Sequence, residues 1–253
     1  QLRTLWQSTP AHLKVSLEEP REVTAAMMLG TLAHSVILEP DAPLPGVVIQ
    51  PDEYEPLKKW TYAAKACKEW RSKQEAAGLI PLKPEEYNAV FGMAKSIAAH
   101  PFSGPMLTAG RPEVSLVTFD ERNQIAVRSR VDFVGDGVDY LTDLKTTQDA
   151  SPRAFEKKAS SEGLHIQAAL YLMLWNALAG ADDHRTGFRF IVVEQKPPHA
   201  VNVFPASESF LAKGREDAAR MLALYAKCHH ANDWPAYAPE LHELNLQRWA
   251  QDL

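Results

Sequence analysis

Apolar residues in the first third of the chain recur three and four positions apart. Over residues 24–38, Ala26, Leu29, Gly30, Ala33 and Ile37 fall on one helical stripe, and Glu39-Pro40 ends it. Ser8-Thr9-Pro10-Ala11-His12 is a turn signal able to open an earlier helix. Pro40, Pro43, Pro45, Pro51 and Pro56 mark residues 40–56 as an extended surface connection. The charged, alanine-rich stretch 57–77 predicts a helix closed by Gly78. A further helix is predicted over Pro84–Ala99, with proline in its first turn and Glu85-Glu86 beside the positive end of its dipole.

After Arg111 the period changes from helical to alternating. Residues 113–119, 124–134 and 140–146 read as three strands, joined by turns at 120–123 and 135–137, so an antiparallel meander is expected. Ser151-Pro152 supplies an N-cap and a first helical proline for a short helix to about residue 159. A longer helix is expected over 162–179, stopped by Gly180. Strands follow at 187–194 and 200–204, then a closing amphipathic helix over 207–229. The sum is a mixed sheet flanked by helices, an α/β (α+β) fold. It reads as one domain over 1–253: a helical part to about 110, a sheet core at 111–206 and a C-terminal helix region at 207–253.

Composition narrows the classes. The chain has 253 residues, 45% hydrophobic and 23% charged, which suits one large globular domain. Cys67 and Cys228 are isolated, so a disulfide framework, a cysteine zinc site and an iron–sulfur cluster are not expected. No apolar run approaches the ~18 residues of a membrane span. The first residues lack Met and an apolar leader, and the chain reads as a piece of a cytoplasmic protein. With 27 basic against 32 acidic residues, net −5, the surface is not a uniformly positive one. A nucleic-acid enzyme with metal-neutralised carboxylates and locally clustered basic residues remains compatible. No phosphate-binding P-loop, dinucleotide-binding glycine motif or serine-hydrolase elbow is present.

The candidate chemistry centres on Asp132 and on Asp143-Leu144-Lys145. On a strand, Asp143 and Lys145 share one face while Leu144 points into the core behind them. Pairing through the 135–137 turn would lay Asp132 beside Asp143, and two such carboxylates call for a cation between them. Lys145 would then lie near a metal-bound water and a phosphate oxygen. An Asp–Lys surface ladder is the plainer alternative. Glu113 opens the preceding strand and offers a third carboxylate, and Arg128 and Arg130 alternate on the strand of Asp132, either as phosphate contacts or as a solvated stripe. Gln167 and Tyr171 are one turn apart on one helix face, suited to orienting a lysine or a phosphate, or simply to packing. His34 lies on a largely apolar helix, with Gly30 four residues earlier permitting close packing; a core role or a ligand role depends on its partners. Cys228-His229-His230 looks metal-like, but no second ligand pair follows at finger spacing, so a polar helix end is expected.

Taken in order, Gly30-x-x-x-His34, Glu113, Arg130-Val-Asp132, Asp143-Leu-Lys145-Thr-Thr147 and Gln167-x-x-x-Tyr171 resemble the PD-(D/E)xK nuclease superfamily. Within it, the chain is similar to the exodeoxyribonuclease VIII (RecE) nuclease family and its phage and prophage relatives, a resemblance that covers nearly its whole length. The resemblance implies a magnesium-dependent exonuclease that degrades one strand of linear duplex DNA from its 5′ end, leaving a 3′ overhang for a single-strand annealing (RecT-like) partner. It also implies a homo-oligomeric ring that threads DNA. Carried over to this chain, His34, Glu113, Asp132 and Asp143 would be metal ligands together with the Leu144 carbonyl. Lys145 would position or activate the water, and Gln167 and Tyr171 would order the site. A histidine ligand would let Mn²⁺ substitute for Mg²⁺. Val131 stands where the superfamily name has Pro, Asp143 takes the Asp/Glu place, and Leu164 occupies a place where an aromatic residue near the substrate is expected.

Three other readings are weighed. A CRISPR-adaptation or helicase-fused sister nuclease would bring a four-cysteine cluster or a motor, neither of which the sequence carries. A structure-specific endonuclease of the same superfamily and a non-catalytic DNA-binding module are the others. Arg3, Arg111, Arg128 and Arg153 are unranked candidates for gripping a 5′ phosphate.

Overall fold

The computed structural model describes residues 2–19, 25–42, 46–241 and 243–245. Helices α1 (Leu2–Gln7), α2 (Pro10–Glu18) and α3 (Ala25–Leu38) lead into strands β1 (Val47–Ile49), β2 (Glu53–Glu55) and β3 (Lys58–Lys59). Then come α4 (Lys65–Ala76), β4 (Ile80–Leu82), α5 (Pro84–Ala99) and the short α6 (Ser103–Met106). The sheet core holds β5 (Gly110–Asp120), β6 (Ile125–Gly135) and β7 (Tyr140–Thr147), followed by α7 (Pro152–Glu162) and α8 (Leu164–Leu178). After a single 3₁₀ turn, β8 (Gly187–Glu194), β9 (Val201–Pro205) and α9 (Glu208–Ala231) complete the chain.

The main sheet runs β5-β6-β7-β8-β9. Pairings are antiparallel except β7 with β8, whose parallel partnership requires the α7–α8 crossover. The expected meander of three strands is present. Residues of β8 alternate between two cores, as the strand period demands. Phe188, Phe190 and Val192 join Phe155, Ala168 and Leu222 from the α7–α9 side. Ile191 and Val193 join Leu32, Val90, Met93 and Ile97 from α3 and α5. Helices therefore cover both faces of the sheet. α8 is buried nearly all round, with Ile166, Ala168, Leu172 and Trp175 each shielded from solvent. The helix ends follow local chemistry: Ser151 Oγ accepts the Ala154 N–H (3.4 Å), and Ser207 Oγ accepts the Phe210 N–H (3.2 Å).

Several expectations are corrected. The helix expected over 57–77 begins only at Lys65. Leu57 adopts a positive φ of 65°, β2 and β3 form a small hairpin, and Trp60 turns back edge-on against Trp70 at 5.0 Å. The proline-rich connection contains β1, which pairs in parallel with β4; neither three-residue strand is long enough to show a period. The two helices expected at 152–159 and 162–179 are both present, but their boundary lies later: α7 runs on to Glu162, and Gly163 at φ 66° closes it and opens α8. Around Gly30 a Cβ would meet nothing within 4 Å, so this glycine opens space beside His34 and makes no close helix contact. The start of the α3 expectation at Thr24, Pro43 and Pro45 of the connection, and residues 246–253 lie outside the described residues.

Candidate active site

β6 and β7 share a single ladder pair, Phe133 with Thr142, and then separate. At the fork the carboxylate of Asp132 replaces the ladder: its Oδ2 accepts the Leu144 N–H at 2.8 Å. Asp132 is 8% exposed and Asp143 is fully buried, so both carboxylates have left bulk water behind them. Leu144 packs into the core on the α3 side, as the alternation predicts, while Asp143 and Lys145 meet with Nζ 2.5 Å from Oδ2. Gln167 Nε2 donates to Asp143 Oδ1 at 2.5 Å. The one-turn pairing of Gln167 and Tyr171 therefore faces the Asp-x-Lys strand.

Glu113 reaches the site from an unusual backbone. The pairs Pro112–Phe133 and Val114–Val131 continue on either side of it, yet Glu113 itself sits at φ 51°, in the left-handed region uncommon for a residue with a side chain. Its Oε1 lies 3.6 Å from His34 Nδ1, and Arg130 Nε lies 2.5 Å from its Oε2. His34 Nδ1 is also 3.7 Å from Asp132 Oδ2, and its Nε2 is 3.1 Å from the Leu144 carbonyl oxygen. α3 thus lays one imidazole across both carboxylates and the main chain of β7.

The charges explain one another. Burial opposes a charged His34, but the bond to Glu113 and the fields of Asp132 and Asp143 outweigh it and hold its pKa above the ordinary value. Glu113 is held below the usual carboxylate range by the His34 contact, against burial and with help from Arg130. Asp132 is pushed up to about 7, first by burial and then by the Asp143 carboxylate. Lys145 keeps about a fifth of its side chain exposed; burial of the rest opposes its charge, yet Asp143 and Asp132 keep its pKa above the ordinary lysine value. Burial, with Asp143 and Asp132 behind it, pushes the Tyr171 hydroxyl up to about 12, so it stays a neutral phenol.

This donor set fits a hard divalent cation. One ligand atom each from His34, Glu113 and Asp132 lies within 4.8 Å of the others. Glu113 Oε2 and Asp143 Oδ2 are buried without a well-aligned hydrogen bond, facing only the cations of Arg130 and Lys145. The Glu113 and Asp132 carboxylates, an imidazole and the nearby Leu144 carbonyl are ligands of the kind that Mg²⁺ or Mn²⁺ takes. Asp143 stands beside that trio with both oxygens engaged by Gln167 and Lys145.

A groove of about 770 Å³ passes over the site, lined by His34, Leu144, Lys145, Gln167 and Tyr171 and walled by Arg3 and Arg128. Arg128 carries no ion pair among the described residues, whereas Arg130 is committed to Glu113 in a smaller pocket shared with Gly30 and Glu39. Arg111 lies over Trp175, and neither it nor Arg153 lines the groove. Leu164 is 4% exposed and offers the groove wall an aliphatic side chain in place of an aromatic ring. Cys228 is buried and His230 meets the Asn123 carbonyl at 3.0 Å, a helix end as expected. Sequence reasoning missed Lys158, whose Nζ donates to the Thr146 carbonyl at 3.2 Å inside the groove; on a charged helix nothing distinguished it. Glu39 was legible only as a helix stop.

A forked sheet carrying Asp132 on one branch and Asp143-x-Lys145 on the other, between helical layers, is the arrangement of a PDDEXK-like domain. The chain belongs to the family described as PDDEXK-like domain of unknown function (DUF3799), whose model matches residues 2–245. It is similar to the crystal structure of the "Putative exonuclease" of Eubacterium rectale, with a TM-score of 0.57 at 10% identity over 99% of this chain and 90% of that one. It is similar also to the phage-related exonuclease of Haemophilus somnus 129PT, with a TM-score of 0.38 at 11% identity over 92% of this chain and 99% of that one. No curated protein matches the sequence. At such identity the first likeness speaks for the fold, which agrees with the family. Among the described residues no helix is long and apolar enough to cross a membrane. Family and geometry together support a nuclease of the divalent-metal kind.

Proposed function

We propose that this protein is a magnesium-dependent exodeoxyribonuclease that digests linear double-stranded DNA from its 5′ ends and leaves 3′ single-stranded overhangs for strand annealing. The observation that carries the reading is the convergence of His34, Glu113 and Asp132 beside the Asp143–Lys145–Gln167 chain, with His34, Lys145 and Gln167 lining an open groove. His34, Glu113, Asp132, Asp143 and the Leu144 carbonyl would hold Mg²⁺, with Mn²⁺ as a substitute. The bound ion would supply Lewis acidity toward a phosphodiester oxygen and a more acidic water. The chain's own groups do the rest. Lys145, kept cationic by its carboxylate neighbours, donates to a water or phosphate oxygen and offsets negative charge as it develops. Gln167 fixes the rotamer of Asp143, and Tyr171 remains a neutral donor in the groove. Arg128 and Arg3 flank the groove where backbone phosphates would pass.

A cytoplasmic site of action, a homo-oligomeric ring and an annealing partner of the RecT-like kind belong to the same proposal and rest on the resemblance to exodeoxyribonuclease VIII. The decisive experiment is digestion of linear duplex labelled separately at its 5′ and 3′ ends, with Mg²⁺ or EDTA, beside Asp143→Ala. Magnesium-dependent release of 5′ label, lost in the variant and on closed circles, is expected. Cutting of closed circles would mean an endonuclease, and no release under any divalent metal a non-catalytic binding module.

A further inference from the structure

Away from the groove, the segment between α3 and α5 carries a concentration of charge and aromatic surface that the nuclease site does not use. Between Lys58 and Lys83 the sequence has seven Lys and Arg against two Glu, whereas the whole chain has 27 against 32 acidic residues. None of these residues lines the groove or the smaller pocket beside His34. Within the segment Tyr62 is 47% exposed, yet held in place, because its hydroxyl donates to Gln50 Oε1 of the strand-β1 connection at 3.2 Å. Two elements bring cations to its ring. The Arg71 guanidinium of α4 lies 5.9 Å from the ring centroid, and the Lys83 ammonium, arriving after β4, lies 5.7 Å from it. These are the outer reach of a cation–π contact. Lys65, Lys68 and Arg71 follow at three-residue steps, so one face of α4 carries the positive charge up to the ring. Lys68 and Lys83 have no carboxylate partner among the described residues, while Lys65 and Arg71 have only i+4 partners on their own helix.

A half-exposed, immobilised aromatic ring bordered by the unpaired Lys83 ammonium and the Arg71 guanidinium, with Lys68 one turn before Arg71 on the same helix face, matches a base with its flanking phosphates. Duplex DNA keeps its base faces stacked and out of reach, and the carboxylate side chains of an acidic peptide bring charge but no aromatic face for Tyr62. We propose that Tyr62, Lys68, Arg71 and Lys83 form an accessory site for single-stranded nucleic acid. Its natural occupant, the single strand left by digestion, rests on the nuclease reading above; the binding itself does not.

Fluorescence anisotropy with a short labelled oligothymidylate in EDTA tests it. Tyr62→Ala is expected to weaken binding about ten-fold, the loss of one stacked base, and Tyr62→Phe to restore it. Lys68→Gln with Lys83→Gln is expected to flatten the dependence of affinity on salt by about 0.7 per removed contact on a logarithmic plot. Unchanged affinity in both variants, at an unchanged melting temperature, would overturn the site. So would competition by polyglutamate as effective as competition by unlabelled oligonucleotide, which would point to a protein partner. Hydrolysis of a short duplex separates the two readings: Tyr62→Ala should cut it at the wild-type rate. A wild type that cuts nothing would sink the nuclease while leaving the binding result standing.

Discussion

The backbone N–H of Leu144 donates to the carboxylate of Asp132 at 2.8 Å, in the place where a strand carbonyl would otherwise receive it. That substitution lets β6 and β7 part without orphaning a buried donor. It also fixes Asp132 at the fork, within reach of the His34 imidazole. One hydrogen bond therefore opens the sheet and aims the Asp132 carboxylate at the imidazole.

Lys145 is the first residue to test. It is buried against Asp143 and stays cationic, so its removal deletes a positioned donor and leaves the Asp143 carboxylate without its counter-charge. Lys145→Ala is expected to lower the hydrolysis rate by about 10²–10³ or more while DNA binding in EDTA stays near wild type. Single-turnover digestion paired with anisotropy reads both. Weakened binding with a normal rate at saturation would remove Lys145 from the chemistry.

Gln167 acts through Asp143. Its amide donates to Oδ1 at 2.5 Å, and without it that buried oxygen has no donor. Gln167→Leu is expected to cost about 10–100-fold in metal affinity or rate, the usual effect of losing a group that orients a metal ligand. The loss should appear as a shift of the Mn²⁺ activation curve with a smaller change at saturating metal. A pure fall in the plateau would contradict a positioning role.

Much of the sheet was legible because its signals are long. β5, β6 and β7 each show alternation between recognisable turns, and β8 is a run of Val, Ile and Phe bounded by glycine and a turn. β1 and β4 are three residues each, too short to carry a period, and the hairpin at β2–β3 lay in a sequence rich in helix formers. In the site, Asp132, Asp143 and Lys145 could be grouped from strand geometry alone. The approach of His34 could not, since its partners Leu144 and Glu113 belong to strands remote in sequence. Nor does any residue pattern announce the left-handed backbone that turns Glu113 toward it.

Metal and protons should compete here. Asp132, raised to about 7, binds its proton more tightly folded than unfolded, so its contribution to stability is present at acid pH and lost as pH rises from the ordinary carboxylate range to about 7. His34, also raised, contributes below its ordinary value and loses that contribution as pH rises through its folded pKa. Both push the metal-free protein toward lower stability at neutral pH, where deprotonated ligands favour a divalent ion. Thermal melts with Mn²⁺ and with EDTA should differ more at about pH 8 than at about pH 5.5, and Asp132→Asn should shrink that difference. An equal metal effect at both pH values would separate the cluster from metal binding.

Two glycines give opposite expectations for stability. Gly214 of α9 faces the backbone of α8, and a Cβ there would stand 2.1 Å from the His165 carbonyl oxygen and 2.8 Å from the Ala169 side chain. Neither the carbonyl nor a methyl on a buried helix can swing aside, so Gly214→Ala must spread the two helices. Overpacking of this kind costs about 1–3 kcal/mol. In a chain of this length that corresponds to a melting temperature lower by about 2–4 °C per kcal/mol. Gly30 lies within α3, and a methyl added there would have nothing inside 4 Å, so Gly30→Ala gains about 0.5–1 kcal/mol of helix preference. Melts of the two variants in EDTA should move in opposite directions. A Gly214→Ala protein as stable as wild type would mean that α8 and α9 do not meet backbone to backbone at His165.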